Sequence, residues 1–242
     1  MEELMRLEKL CLNNNPNDWE KEDYNALKIY SLNCRSLRKH HEDILSDATI
    51  LKSDIICLQE TWLESNNNEN EQSSNNRYQI SPYTFHANSC GRGKGIAIYY
   101  DAKKFTHVVD IKMEFMQISK FCSPTIDVIT LYKSQQGSIE MLNAQLRNIF
   151  TAGKATLVIG DFNFCYKETS TTLNRFFATG NFKQLINEPT HIDGHIIDQA
   201  YLQDGRKQLQ YTVQVDSKYY SDHRGISVVV KVNLFNHNEK TM

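Results

Sequence analysis

Polar side chains of catalytic type gather where apolar runs give way to turns. Asn33 follows the run 26–32, and Gln59 and Glu60 follow the run 54–58. Asp161 and Asn163 lie in Gly160-Asp161-Phe162-Asn163, directly after Thr156-Leu157-Val158-Ile159. Asp198 follows Ile196 and Ile197, and Ser221-Asp222-His223 leads into the apolar run that starts at 226. Glu60, Asp161 and Asp222 are hard oxygen donors, and Asn33 and Asn163 add neutral amide oxygens. Mg²⁺ takes one or two such carboxylates and completes its octahedron with waters and phosphate oxygens. His223 and Asp198 can pair so that the acid fixes the imidazole tautomer and steadies the imidazolium. A metal ion and an imidazolium on opposite sides of a phosphorus stabilise a pentavalent transition state, and a carboxylate such as Asp161 can orient or deprotonate the attacking water. The chemistry this set serves is phosphate-ester hydrolysis.

Taken singly, each residue has an ordinary explanation. Gly-Asp-x-Asn after a strand is a common turn. Glu60 suits a helix start. Ser221-Asp222-His223 cannot form a hydrolase triad, because three adjacent residues cannot converge as nucleophile, base and orienter. Asp198 is the exception, since a carboxylate in an apolar strand needs a partner. The combination carries the reading.

Bringing these residues together requires a layered fold. Residues 26–33 read as a strand, and Leu37, Ile44, Leu45, Ala48 and Leu51 follow helical spacing. The run 54–58 suits a strand buried on both faces. Further strands are expected at 78–88, 95–100, 105–111, 126–132, 156–159, 196–202, 211–215 and 226–234. Helices are expected over 139–150 and 169–180. Strand, helix, strand in succession indicates α/β or α+β layering, with ligands bound beyond the strand ends. The polar tract 65–76 reads as a surface loop. Residues 1–24 read as a helical preface, 25–235 as one domain without an internal linker, and 236–242 as a tail.

The chain has 242 residues, 27 Lys+Arg against 29 Asp+Glu, and 40% hydrophobic residues, the balance of a globular protein. A net charge of −2 excludes a protein that coats nucleic acid by charge alone, but not an enzyme with a local basic rim. No apolar run approaches the roughly 18 residues of a membrane span, and the N-terminus lacks a signal-peptide core, so no membrane association and no secretion are expected. The six cysteines, at 11, 34, 57, 90, 122 and 165, form no C-x-x-C pair and read as free thiols. Gly91-Arg92-Gly93-Lys94-Gly95 fails both G-x-G-x-x-G and the P-loop. It reads as a turn whose Arg92 and Lys94 reach phosphates. Arg35, Arg38, Lys39, His40 and His41 form a second basic cluster near the expected site.

The ordered set Leu32-Asn33, Gln59-Glu60-Thr61, Gly95-Ile96-Ala97-Ile98, Tyr132, Gly160-Asp161-Phe162-Asn163, Ile197-Asp198 and Ser221-Asp222-His223 resembles the endonuclease/exonuclease/phosphatase superfamily over roughly residues 26–232. The resemblance implies an α+β fold, a four-layer α/β sandwich of two mainly antiparallel sheets flanked by helices. It implies that Glu60 binds Mg²⁺ (Mn²⁺ being the alternative ion) with Asn33 close by and Asp222 at or near the metal. Asp161 would activate the water, and Asn163 would hold the phosphate or the Asp161 geometry. His223, paired with Asp198, and Tyr132 would contact the phosphate. Asn33-Cys34-Arg35-Ser36-Leu37, Glu60-Thr61-Trp62-Leu63 and the segment 188–198 are similar to endonuclease domains of non-LTR retrotransposons. Repair enzymes of the family usually carry an acid where this chain has Arg35, and the usual Pro after Tyr132 is missing.

The activity so implied is Mg²⁺-dependent nicking of DNA to leave 3′-hydroxyl and 5′-phosphate ends, in the nucleus or cytoplasm, by a domain of a larger mobile-element polyprotein. Arg35, Arg92 and Lys94 would contact the DNA. Alternatives are a phosphatase of inositol phosphates or other small phosphoesters, and an inactive DNA-binding domain. The sequence does not set the oligomeric state.

Overall fold

The computed structural model describes residues 26–64, 76–167, 172–206 and 208–232. The expected preface, the tail and most of the 65–76 tract lie outside the described residues. Twelve strands form two six-stranded sheets. The first sheet holds β1 (Ala26–Asn33), β2 (Ile55–Gln59), β3 (Thr84–Asn88), β4 (Ile96–Tyr100), β11 (Leu209–Ser217) and β12 (Arg224–Val232), in the order β11-β12-β1-β2-β4-β3. The second holds β5 (Thr106–Met113), β6 (Met116–Cys122), β7 (Asp127–Lys133), β8 (Thr156–Asp161), β9 (Phe182–Gln184) and β10 (Asp198–Gln203), in the order β5-β6-β7-β8-β10-β9. Each sheet contains one parallel pair, β1 with β2 and β7 with β8, and is otherwise antiparallel. Helices connect the parallel pairs, as such crossovers require: α1 (Leu37–Leu45) and α2 (Ala48–Leu51) in the first sheet, α3 (Ile139–Ile149) in the second. A fourth helix, α4 (Thr172–Thr179), lies beside α3.

The layers follow from strand periodicity. Ile29, Cys57, Val128, Leu157, Ala200 and Val228 fill the space between the sheets. Their neighbours Tyr30, Ile56 and Leu58 point outward under α1 and α2. On the other sheet Ile129, Leu131, Val158 and Tyr201 point outward under α3 and α4. The result is a four-layer helix–sheet–sheet–helix sandwich. No helix among the described residues is long and apolar enough to cross a membrane.

The same period of two places the polar residues. Counting in steps of two from the inward-facing Ile29, Cys57, Val128, Leu157 and Ala200 reaches Asn33, Gln59, Tyr132, Asp161 and Asp198. Register then aligns them: Asn33 lies opposite Gln59 in the first sheet. Asp161 lies opposite Asp198 on one side and Tyr132 on the other in the second. Gly160 permits this close pairing. Its φ is +146°, and a Cβ there would sit 2.0 Å from the Leu131 carbonyl oxygen, so a side chain cannot be accommodated.

Several elements differ from the sequence reading. The expected helix over residues 37–51 is two, because Asp47 caps a second start by accepting hydrogen bonds from the Thr49 and Ile50 amides at 2.9 and 3.3 Å. The expected strand 78–88 begins only at Thr84, after a 3₁₀ turn at Asn76–Tyr78. Strand β6 was hidden by its buried Gln117, Ser119 and Lys120, which break the apolar pattern. The three-residue β9 is too short to show a period. Asp198 opens β10 rather than sitting inside a strand from 196. Cys34 and Cys57 are buried thiols, Cys90, Cys122 and Cys165 are half-buried, and none of the five is in a disulfide.

Candidate active site

The inward-facing row ends in an open cleft of about 700 Å³, lined among others by Arg35, Glu60, Lys94, Tyr132, Asn163 and His223. Its floor is a continuous hydrogen-bonded network drawn from both sheets. Asp161 is fully buried. Its carboxylate accepts from Asn33 Nδ2 at 2.9 Å, from the Asn163 amide at 2.7 Å and from Asn163 Nδ2 at 3.3 Å. Asn163 adopts φ +49°, a left-handed conformation that Asn tolerates better than most residues. That turn folds its backbone N–H and its side chain back onto Asp161. Asn33 Oδ1 accepts from the Arg35 amide at 3.1 Å. Ser221 Oγ donates to the Asn33 carbonyl at 2.7 Å and accepts from the His223 amide at 3.1 Å, tying the β12 entry to the end of β1.

His223 Nδ1 lies 2.8 Å from Asp198 Oδ2, with side-chain exposures of 7% and 4%. Burial alone would lower the imidazole pKa, but the Asp198 charge and hydrogen bond outweigh it and push His223 up to about 9. His223 is therefore an imidazolium at neutral pH, with Nδ1 on the acid and Nε2 3.9 Å from Asp222 Oδ1 beside the cleft. Asp161 is also raised from the value of a free carboxyl: burial and the nearby Asp198 charge raise its pKa, against the pull of His223 and its N–H donors. A dry carboxylate with raised proton affinity faces a cation held by a second carboxylate.

Asp198 is itself positioned by Thr190, which sequence reasoning missed. Thr190 Oγ1 accepts from the Ile197 and Asp198 amides at 3.1 and 2.9 Å, and the Thr190 carbonyl accepts from the Arg224 amide at 2.7 Å. A threonine that bonds a backbone eight residues away leaves no local sequence pattern. His191, Ser134, Gln135 and Gln136 also line the cleft and were not anticipated.

Glu60 and Trp62 have φ of +48° and +56°, so the chain turns sharply as it leaves β2. The turn is held by hydrogen bonds from the Ser36 amide to the Glu60 carbonyl at 2.8 Å and from the Trp62 amide to the Lys94 carbonyl at 3.0 Å. Glu60 Oε2 receives a long contact, 3.4 Å, from Trp62 Nε1. Tyr132 donates its hydroxyl to the Gly93 carbonyl at 3.1 Å, and burial together with Glu60 holds its phenol protonated.

Asn33, Asp161, Asn163, Asp198 and His223 thus form one network, with Glu60, Tyr132, Asp222, Arg35 and Lys94 around the cleft above it. Three expectations change in detail. Asp222 makes an ion pair with Arg35, and the same Oδ2 lies 3.6 Å from His191 Nε2, so this oxygen is turned to those two side chains. Arg92 lies over the Trp62 ring, 5.8 Å from its centroid, and does not line the cleft. His40 and His41 are buried against Tyr220 and Tyr78, so the supposed basic cluster contributes only Arg35 to the cleft.

The model of the Endonuclease/Exonuclease/phosphatase family matches residues 25–223. The chain belongs to this family. Solved structures agree with that assignment in fold. The endonuclease domain of TRAS1, a telomere-specific non-LTR retrotransposon, is 13% identical with a TM-score of 0.64, covering 86% of this chain and 99% of that one. An AP endonuclease from Archaeoglobus fulgidus is 16% identical with a TM-score of 0.63, covering 86% and 100%. A truncated Caenorhabditis elegans TDP2 is 16% identical with a TM-score of 0.57, covering 86% and 98%. No curated relative matches the sequence itself. Enzymes of this family are generally hydrolytic.

Proposed function

We propose that this domain, residues 25–235, is a divalent-metal-dependent phosphodiesterase that nicks DNA to leave 3′-hydroxyl and 5′-phosphate ends, as mobile-element integration requires. The observation that carries this reading is the Asp198–His223 pair set beside the buried Asp161–Asn163–Asn33 network at the floor of an open cleft. Two solved structures of the same fold, the TRAS1 endonuclease domain and the archaeal AP endonuclease, support DNA as the substrate. The action would take place in the nucleus or cytoplasm.

The cleft fits a hard cation. Glu60 lines it with its carboxylate between Trp62 Nε1, at a long 3.4 Å, and the Tyr132 hydroxyl, and Asp222 Oδ1 is buried there without a hydrogen-bond partner. Carboxylate oxygens of this kind suit Mg²⁺ or Mn²⁺, and Glu60 would hold the ion with Asp222 beside it. The bound ion supplies Lewis-acid stabilisation of charge on the phosphate oxygens.

The chain's own groups perform the rest. His223, charged by Asp198, binds a non-bridging oxygen of the scissile phosphate through Nε2. Asp161, held by Asn33 and Asn163, takes a proton from the water that attacks phosphorus. The P–O3′ bond breaks, the 3′ oxygen takes up a proton, and the phosphate stays on the 5′ side. Tyr132 and Asn163 line the same floor and contact the phosphate. Arg35 and Lys94 supply local positive charge for the flanking backbone. The test is nicking of supercoiled plasmid by His223→Ala and Asp161→Ala proteins that retain the native circular dichroism spectrum. Both should lose activity by at least about 100-fold, the scale set by a lost general base or phosphate-binding group. Robust nicking by both overturns the site assignment.

A further inference from the structure

Among the described residues, three groups of His and Asp bring their ligand atoms within 4.8 Å of one another, and two of these belong to the cleft. The third, His86, His107 and Asp110, sits where the edge strands of the two sheets meet. His86 is on β3, the last strand of the first sheet, and His107 and Asp110 are on β5, the last strand of the second. His86 Nε2 lies 2.8 Å from Asp110 Oδ2, and His107 Nε2 lies 3.1 Å from Asp110 Oδ1. The two imidazoles stack with centroids 4.0 Å apart and an interplanar angle of 29°. A register shift in the β5–β6 pairing between His107 and Val109 accompanies this arrangement. Such a bulge re-aims a side chain at the edge of a sheet.

We propose that His86, His107 and Asp110 form a second metal site that takes a borderline transition cation, Zn²⁺ in the first instance, and clips the edges of the two sheets together. Two imidazole nitrogens and one carboxylate are ligands of zinc type, distinct from the all-oxygen preference of Mg²⁺. Both histidines present the same ring atom, Nε2, to one carboxylate. A tetrahedral ion with bonds of about 2.0 Å holds its ligand atoms about 3.3 Å apart, and one ligand atom from each of the three residues already lies within 4.8 Å of the other two. The outer support exists as well. Ser119 Oγ donates to Asp110 Oδ1, and Asn88 Nδ2 lies 3.5 Å from that same Oγ. Side-chain exposures of 24%, 29% and 30% leave the cluster open to ion entry and to a water as fourth ligand. Phe121 packs against both rings and walls off the core side, with centroids 5.8 and 5.2 Å from His86 and His107.

The experiment is Zn²⁺ titration calorimetry of the described domain's full chain in saturating Mg²⁺, with Co²⁺ absorption in the visible as a second readout. Wild type should bind one more equivalent of Zn²⁺ than His107→Ala or His86→Gln, and its Co²⁺ spectrum should show the intense bands of a four-coordinate site that both variants lack. Ser119→Ala should retain the site with affinity weakened by roughly 10-fold. Zn²⁺ should raise the melting temperature of wild type and leave that of His107→Ala unmoved. Equal zinc stoichiometry in wild type and both histidine variants, with all three natively folded, overturns the proposal.

Discussion

The Asp198→Asn substitution isolates the charge that Asp198 confers on His223. Asparagine can still accept from His223 Nδ1 through its carbonyl, so the 2.8 Å contact survives while the counter-charge is lost. In the native pair the imidazole is raised from 6.5 to about 9, which corresponds to roughly 3 kcal/mol in favour of the charged form. Without Asp198, burial is opposed only by Asp161 and Asp222, and the pKa falls back toward its ordinary value. At the ordinary value of about 6.5, the imidazolium fraction is lower than in wild type by roughly 30-fold at pH 8 but by under about 2-fold at pH 6. The measurement is kcat/KM for nicking at a series of pH values in saturating Mg²⁺, wild type against variant. The loss should grow steadily from pH 6 to pH 8. Stability carries the same sign: a raised His223 pKa stabilises the fold fully below pH 6.5 and loses that contribution as pH rises through about 9. The melting-temperature difference between the two proteins should therefore narrow above pH 9. A loss of activity equal at pH 6 and pH 8 refutes the assignment of His223 as a charged phosphate ligand.

Three further substitutions test how the site is held. Thr190→Val removes the acceptor for two buried amides and should cost roughly 2–4 kcal/mol in urea unfolding together with activity, while Thr190→Ser restores both; an unchanged unfolding midpoint in the valine variant contradicts the role. Gly160→Ala forces a Cβ to 2.0 Å from the Leu131 carbonyl oxygen, beside Asp161, and should destabilise by more than about 3 kcal/mol; a melting temperature within about 2 °C of wild type contradicts the packing. Asp127 is fully buried, 2.8 Å from Lys120 Nζ and 2.6 Å from Lys154 Nζ. Burial opposes its charge, but the two lysines win and hold its pKa below the usual value. Its contribution is therefore present above about pH 4 and lost as pH falls through the lowered folded value. Asp127→Asn should cost roughly 3 kcal/mol at pH 7, with the deficit shrinking under acid, which thermal melts at pH 7 and pH 3 would read.

The site was legible because its residues lie at the ends of short apolar strands, where a two-residue period fixes the face. Asn33, Asp161 and Asp198 share the parity of Ile29, Ile159 and Ala200, so knowing the strands is nearly knowing the row. The long-range partnerships were not legible. Thr190 acts through backbone amides of residues 197 and 198, and the Arg35–Asp222 pair joins residues 187 positions apart. Strand β6 escaped because its polar residues are satisfied from elsewhere: Gln117 accepts from the Gly95 amide at 3.0 Å, and Lys120 pairs with Asp127. In sequence such residues look like a loop. The histidines at 40 and 41 misled in the opposite direction, reading as surface charge while their side chains are among the buried ones of α1, against Tyr220 and Tyr78.

The central claim is tested most directly by incubating the purified wild-type chain with supercoiled plasmid in Mg²⁺, with and without EDTA, alongside Glu60→Gln and a panel of small phosphoesters. Open circles are expected in Mg²⁺ alone, none with EDTA, and sharply fewer with Glu60→Gln. The nicks should be extended by a polymerase without prior phosphatase treatment. Hydrolysis of small phosphoesters with intact plasmid, or nicking that persists in EDTA, would contradict the claim.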